Sequence, residues 1–370
     1  MSHKITFYPL GNADTSLIEL ANNKKILFDY ANVRSQDDEN DKRIDLPKEL
    51  DKVVDSEFDV VAFSHADEDH VKGFSEYFYL EHDSKYQGKG RKKINDLWVP
   101  AAILLQKDVD IKHDDGKILK KEARFRLKNK ARIKVFSKPD KLKDWLKSEG
   151  ISFDEVKHLI VNAGATVPGW TIKDEGVEFF VHSPFAEHVD DKDIERNEAC
   201  LILQATFDNS KSSKLFFGAD ADSDLLADIV DITKHYKREE RLEWDVLHIP
   251  HHCSYKSLNK EDRGKGKTKP IEQVKWLYET QGNNGGILIC PSDVIPSEND
   301  VKQPPHKEAD MYYKDVETLK DGDYKVTMEY PSKEKPEPIN VIIDDSGVTI
   351  KKIVVSAGFA SNKPAPRAGI

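Results

Sequence analysis

The chain has 370 residues, 38% hydrophobic and 34% charged, with a formal net charge of −10. That is enough apolar material for a sizeable core under a heavily charged surface, and no run approaches the about 20 apolar residues that cross a bilayer. Cys200, Cys253 and Cys290 lack metal-type spacing and are odd in number, which argues against a disulfide framework. The expectation is a reduced, cytoplasmic protein with no membrane association, and Met1–Lys4 shows no signal-peptide pattern.

The first elements in chain order are short apolar runs. Ile5–Leu10 is broken by Gly11-Asn12-Ala13-Asp14, Ser16–Leu20 resumes, and Lys25–Asp29 is a third run. Phe58–Ser64 is a fourth strand, and His70–Tyr79 reads as a helix behind its end. Within Asn95–Leu105, Leu97-Trp98-Val99-Pro100 suits another strand, and Lys117–Lys147 is basic and mostly helical. Leu159-Ile160-Val161 precedes a Gly/Pro-punctuated turn at Gly164–Gly169. Val177–Val181, Ala199–Phe207, Leu215–Phe217, Val246–Ile249 and Gly286–Cys290 are further strands, with helices expected over Asp222–Tyr236 and Ile271–Thr280. Asn340–Asp344 and Val348–Val355 flank Asp345-Ser346-Gly347, a hairpin signature.

Strands in both halves with helices between them predict an α/β fold, a four-layer αββα sandwich. We expect a single domain over 1–355, a basic insertion at 85–148 and a loose tail at 356–370. Residues 85–148 hold 20 Lys and Arg against 8 Asp and Glu, which leaves the rest of the chain at −22. Such a split marks either a surface for polyanions or a solvated helical face.

The chemistry-bearing residues cluster at strand ends. His65-x-Asp67-x-Asp69-His70 follows the fourth strand directly. Carboxylates at the rim of an apolar sheet repel one another and resist desolvation. A divalent cation resolves that conflict, and imidazole with carboxylate is an ordinary ligand set for Zn²⁺ or Mn²⁺. Capping the next helix needs only one such residue. Alternation lets His65 and Asp67 reach one metal while Asp69 and His70 reach a neighbour. In Phe217-Gly218-Ala219-Asp220-Ala221-Asp222, small residues surround Asp220, which suits a bridging role. In Asp245–Ser254, the pair His251-His252 ends another strand. We assign His252 as ligand and His251 as the residue facing substrate, the reverse remaining open. Asp69 and His251 are the catalytic assignments. His182 is either a further ligand or a structural histidine, His248 is structural, Cys253 packs, and Ser254 and His306 are candidate substrate contacts.

These motifs resemble the metallo-β-lactamase-fold hydrolases, and more closely the hydrolase domain of the DNA-uptake protein ComEC. His65–His70 matches that branch's H-x-D-x-D-H. Gly218–Asp222 is similar to its Thr-Gly-Asp-Ala-Glu. Asp245–Ser254 follows its Asp-Val-Leu-Lys-x-Pro-His-His-Gly-Ser, with His248 for Lys and Cys253 for Gly. Gly11–Asp14 echoes its early glycine-aspartate turn, and His306 its late histidine. The resemblance spans about residues 5–315. It implies two divalent metal ions and hydrolysis by a metal-bridging hydroxide. The expected substrate is a phosphodiester of DNA or RNA. The alternatives are a small phosphodiester, cyclic nucleotide or lactone, or a non-catalytic binding role. The competence protein's membrane channel is absent from these residues, and no motif singles out the superfamily's additional histidine between motifs.

Overall fold

A computed structural model describes residues 2–352 except 191–193, 195, 196 and 265. Seven strands build one sheet in sequence order: β1 (His3–Phe7), β2 (Ser16–Glu19), β3 (Lys25–Phe28), β4 (Glu57–Ala62), β5 (Lys93–Pro100), β6 (Ile133–Phe136) and β7 (Ile160–Val161). A second, six-stranded sheet contains β8 (Val177–Ser183), β9 (Ile202–Phe207), β10 (Lys214–Phe217), β11 (Trp244–His248), β12 (Gly282–Cys290) and β13 (Asp323–Val326). The hairpin β14 (Ile339–Asp344) and β15 (Gly347–Ile350) returns to the first sheet, where β14 pairs antiparallel with β1. The orders are β15-β14-β1-β2-β3-β4-β5-β6-β7 and β13-β12-β11-β10-β9-β8.

Side-chain alternation sets the layers. Val60 and Ala62 of β4 face the inter-sheet core with Phe217 and Val246, whereas Val61 and Phe63 face the opposite way, toward Leu119 and Leu127 of the helix Asp114–Lys128. In the second sheet, Leu215 and Phe217 point inward, and Phe216 points out to Leu226 and Ile229 of the helix Ser223–His235. The result is helix, sheet, sheet, helix: the expected αββα sandwich. The ladders β3–β4–β5 and β10–β11–β12 are parallel and covered on both faces. That is why their sequences read as unbroken apolar runs. Parallel pairing also brings the carboxyl ends of neighbouring strands to one rim, where open α/β sheets place their ligands.

The structure corrects several expectations. The helix expected at His70–Tyr79 is two short ones, Glu68–Val71 and Phe74–Tyr77, separated at Gly73, whose φ of +83° favours glycine. The strand expected at Leu97–Pro100 lies in β5, and the rest of that stretch, Ala101–Leu105, is helical. Residues 85–148, expected as a basic insertion, supply β5, β6 and the helices Asp114–Lys128 and Asp140–Ser148, which lie in the first sheet and its outer layer. Acids from outside the stretch engage its cations: Glu149 pairs with Lys128, Glu155 with Lys130, Glu81 with Arg132, and Asp51 with Lys92. The helix Lys307–Lys320 and strand β13 were not legible, because the helix buries Glu308 and Asp310 beside Tyr312 and Tyr313 and so lacks an apolar stripe. The tail expected at 356–370 and the end of the hairpin at 353–355 lie outside the described residues. No helix among the described residues is long and apolar enough to cross a membrane.

One ion pair in this layer is fully enclosed. Arg126 donates through Nε to Glu122 Oε1 at 2.7 Å, and Glu122 also accepts from the backbone N–H groups of Glu81 and His82 at 3.0 Å. Both side chains are buried. Removing the carboxylate strands the guanidinium, so Glu122→Ala is expected to cost about 3–5 kcal/mol in urea unfolding. A loss under about 1 kcal/mol, the value of an exposed pair, would contradict this reading.

Candidate metal centre

Three segments bring charged side chains to the rim from the first sheet: the β1–β2 turn with Asp14, the end of β3 with Asp29, and the end of β4 with His65, Asp69 and His70. The second sheet contributes Asp220 after β10 and His251 and His252 after β11. Backbone hydrogen bonds lock the loops together: Asp14 N–H donates to Asp69 O (3.0 Å), Tyr30 N–H to His70 O (3.0 Å), and His251 N–H to Ala219 O (2.8 Å). Gly218 is required by space, because a Cβ there would lie 2.5 Å from Pro250 Cγ and 2.7 Å from the His248 carbonyl oxygen.

Asp220 occupies the middle. Its Oδ1 lies 3.4 Å from His70 Nε2 and 3.7 Å from His252 Nε2, and its Oδ2 lies 3.7 Å from His65 Nε2 and 4.0 Å from His251 Nε2. Asp14 Oδ2 is 3.9 Å from His70 Nε2, and Asp69 Oδ2 is 3.3 Å from His252 Nε2. Asp14 Oδ2, His65 Nε2, His70 Nε2, Asp220 Oδ1 and His252 Nε2 are all buried and have no hydrogen-bond partner. Orphaned buried polar atoms are rare and costly. Five on one spot, all electron-pair donors when the imidazoles are neutral, fit a cation.

Two ligand groupings satisfy this geometry. Asp14, His70, Asp220 and His252 form a four-ligand set, and His65, Asp69 and His70 a three-ligand set; within each, the ligand atoms lie within 4.8 Å of one another. Two imidazoles and two carboxylates suit Zn²⁺ or Mn²⁺. A second cation would draw on His65, Asp69 and His70.

The outer partners are equally organised. His70 Nδ1 bonds Asp29 Oδ2 at 2.8 Å, His252 Nδ1 bonds the Pro291 carbonyl at 2.8 Å, and His65 Nδ1 lies 3.0 Å from Ser64 Oγ. His248 Nε2 lies 3.0 Å from Asp14 Oδ1 and joins the sheets from beneath. Such contacts fix which nitrogen faces the metal. The backbone is strained in the same place: Asp29, Ala219, His251, His252 and Cys253 all have φ between 41° and 64°. Non-glycine residues pay roughly 1–2 kcal/mol each for that conformation, and strain of this kind concentrates at functional sites.

The electrostatics follow from crowding. Against burial, the charges of Asp29 and Asp220 push the His70 imidazole well up. Against burial, the carboxylates of Asp220, Asp69 and Asp14 push His252 up to about 10. Against burial, the same imidazoles hold Asp69 at about 2 and Asp14 and Asp220 below the carboxylate range, with His248 acting on Asp14 and His251 on Asp220. The ligand set by itself therefore keeps protons on His70 and His252 where a cation would otherwise sit. Burial pushes His251 down, so its imidazole is neutral at ordinary pH. That suits a ligand or a proton acceptor.

Other expected residues fall elsewhere. Asp67 precedes the helix Glu68–Val71, is half-buried and belongs to neither grouping; Asp14 joins His70 and His252 instead. His182 lies on the outer face of β8 against Phe180 and Phe216, away from the cluster. Ser254 is buried and accepts from Lys256 N–H, so it shapes the turn. His306 is buried behind that turn, its N–H donating to Cys253 O and its Nδ1 facing Tyr255 N–H. Burial pushes the Cys253 thiol up, as befits a packing residue. Asp29 ends an apolar run just as Asp220 does, whereas Asp14 closes the Gly11–Asp14 turn.

A cleft of about 700 Å³ opens onto the cluster, lined by Asp67, Asp69, Asp220, His251, Lys256 and Lys260 among others. Lys260 is held by Asp222 (2.5 Å) and Asp224 (2.8 Å), whereas Lys256 is exposed.

No protein-family model matches the chain, and no curated protein does. Among solved structures, the chain is similar to unliganded yeast PDE1, with 12% identity and a TM-score of 0.43 over 88% of this chain and 97% of that one. It is also similar to a diphosphatase of the PhnP family, with 11% identity and a TM-score of 0.32 over 84% of this chain and 91% of that one. Neither is the ComEC hydrolase domain toward which the sequence motifs point.

Two outcomes check the ligand set. Asp14→Ala is expected to weaken Zn²⁺ or Mn²⁺ binding at least about tenfold, whereas Asp67→Ala leaves it nearly unchanged; equal losses would return Asp67 to the centre. Raised imidazoles stabilise the metal-free protein at low pH, and that contribution is lost as pH rises through the folded value, about 10 for His252. Cations compete with the same protons, so metal affinity should climb between about pH 6 and pH 8, by up to about tenfold per unit for each proton displaced. Calorimetry showing no proton release on binding would contradict this assignment.

Proposed function

We propose that the chain is a metal-dependent phosphodiesterase. The observation that carries this reading is the set of five orphaned ligand atoms around Asp220, open to a cleft that holds lysines. Divalent cations held there supply Lewis-acid polarisation of a phosphoryl oxygen and acidify a water. Asp220 presents one oxygen to His70 and His252 and the other to His65 and His251, an orientation ready to bridge two positions. His251, neutral and at the cleft wall, accepts a proton or completes the second position. Lys256, exposed at the cleft mouth, meets the charge of an incoming diester. Asp29, His248 and the Pro291 carbonyl hold the donor atoms in place, so little reorganisation is needed on binding.

DNA or RNA is the substrate class to which the ComEC-like motifs point. A small phosphodiester or cyclic nucleotide is the second reading, and two observations favour it. Acids from neighbouring segments engage several cations of residues 85–148, and the cleft wall is rich in carboxylates, which repel a long polyanion.

The test is a panel of bis(nitrophenyl) phosphate, cyclic nucleotides, and single-stranded DNA and RNA, with protein loaded with Zn²⁺ or Mn²⁺. Hydrolysis is expected, with Asp220→Ala lowering kcat at least about 100-fold. Cleavage of polynucleotides with a steep salt dependence selects the nucleic-acid reading; turnover of short diesters that is insensitive to salt selects the other. A fully loaded protein that cleaves no phosphodiester contradicts both.

A further inference from the structure

A second cavity lies at the far end of the helix Ser223–His235. Asp222, its N-cap, sits beside the metal cluster, whereas the cavity is walled by the C-terminal half of the helix, from Ile229 onward, and by the outer face of β8. Its volume is about 650 Å³, and Phe180, Phe185, Ile229, Ile232 and Tyr236 give it a mostly apolar wall. Tyr236 is 64% exposed, a large aromatic ring left uncovered at the mouth.

Polar groups at two levels give this apolar cavity direction. At the base lies His182, 4% exposed and held against Phe180 and Phe216. Its Nε2 is left buried without a partner, and a neutral imidazole with its proton on the other ring nitrogen makes Nε2 a bare acceptor. Burial holds the imidazole neutral. A buried acceptor with nothing to accept from is a defect in an ordinary core and a recognition element in a binding site. At the rim, Arg238 donates to the Gly164 carbonyl at 2.9 Å, lies 5.9 Å from the Tyr236 ring centroid, and forms no ion pair among the described residues. Asp231, also at the rim, accepts from the Gln273 amide.

The geometry points to a small-molecule site, separate from the metal centre, for a planar aromatic ligand that carries an N–H or O–H donor at its buried end and an anionic group at its outer end. The ring packs between Phe180 and Ile229, the donor meets His182 Nε2, and the anion meets the Arg238 guanidinium. A neutral alkane of equal volume leaves both polar groups unanswered, so selection falls on the donor and the charge together.

6-Hydroxynaphthalene-2-sulfonate has all three features, and naphthalene-2-sulfonate lacks only the O–H. Titration of the intact protein by fluorescence and calorimetry should show one 6-hydroxynaphthalene-2-sulfonate per chain, bound equally well after metal chelation. His182→Leu should weaken it about tenfold while leaving naphthalene-2-sulfonate unaffected. Arg238→Gln should weaken both ligands, and Ile229→Trp, which fills the cavity, should abolish binding, with circular dichroism confirming that each variant is folded. Absent or non-saturable binding, an Ile229→Trp variant that binds like the parent, or a His182→Leu loss that is equal for the two ligands would overturn the proposal. The His182→Leu comparison stands even where Ile229→Trp does not fold.

Discussion

Three carboxylates, Asp14, Asp69 and Asp220, and the imidazoles of His65, His70 and His252 are forced into one partly dehydrated spot, and the rest of the rim is arranged around that conflict. Like charges in a low-dielectric setting repel strongly, and each orphaned lone pair adds a desolvation cost. Protons on His70 and His252 relieve part of it, and a cation relieves it more completely. The left-handed backbone at Asp29, Ala219 and His251–Cys253 shows that the chain tolerates local strain to hold this constellation. Such strain persists only where the surroundings over-determine it, as the crossed backbone bonds between the Asp14, Asp69, Ala219 and His251 segments do here.

The same spot joins the two halves of the sandwich. Asp14, His65, Asp69 and His70 come from the nine-stranded sheet, and Asp220, His251 and His252 from the six-stranded one. The inter-sheet core of Phe7, Val60, Phe217 and Val246 is apolar and non-directional. It brings the sheets together without fixing their exact register. The Asp14–His248 hydrogen bond and the shared ligands supply that direction at the rim. A centre built from both sheets couples metal binding to the packing of the whole fold, and the geometry of the ligand set inherits the rigidity of parallel strands covered on both sides.

The sequence showed this arrangement unevenly, for physical reasons. Parallel strands buried on both faces leave long apolar runs, so β4, β10 and β11 and the clusters that follow them could be read directly. Asp14 could not, because an isolated aspartate after Gly11-Asn12-Ala13 looks like any turn, and its partner His248 lies 234 positions away. Asp67 looked like a ligand because alternation in the loop put it level with His65. The chain instead turns at Asp67 into a short helix, which carries Asp69 and His70 inward. Composition alone also ignores tertiary pairing in the basic stretch: the acids that answer Lys92, Lys128, Lys130 and Arg132 come from outside it. His182 carried no pattern at all, since one histidine at the end of a strand reads the same whether it faces a metal or a cavity.

The most direct test of the central claim is the X-ray absorption spectrum of the zinc-loaded protein. The account predicts nitrogen and oxygen ligands at about 2.0–2.2 Å, with outer-shell imidazole scattering that falls in His252→Ala. A spectrum showing only oxygen ligands, unchanged by that substitution, would mean that the buried His and Asp atoms do not hold the cation and that the centre described here does not exist.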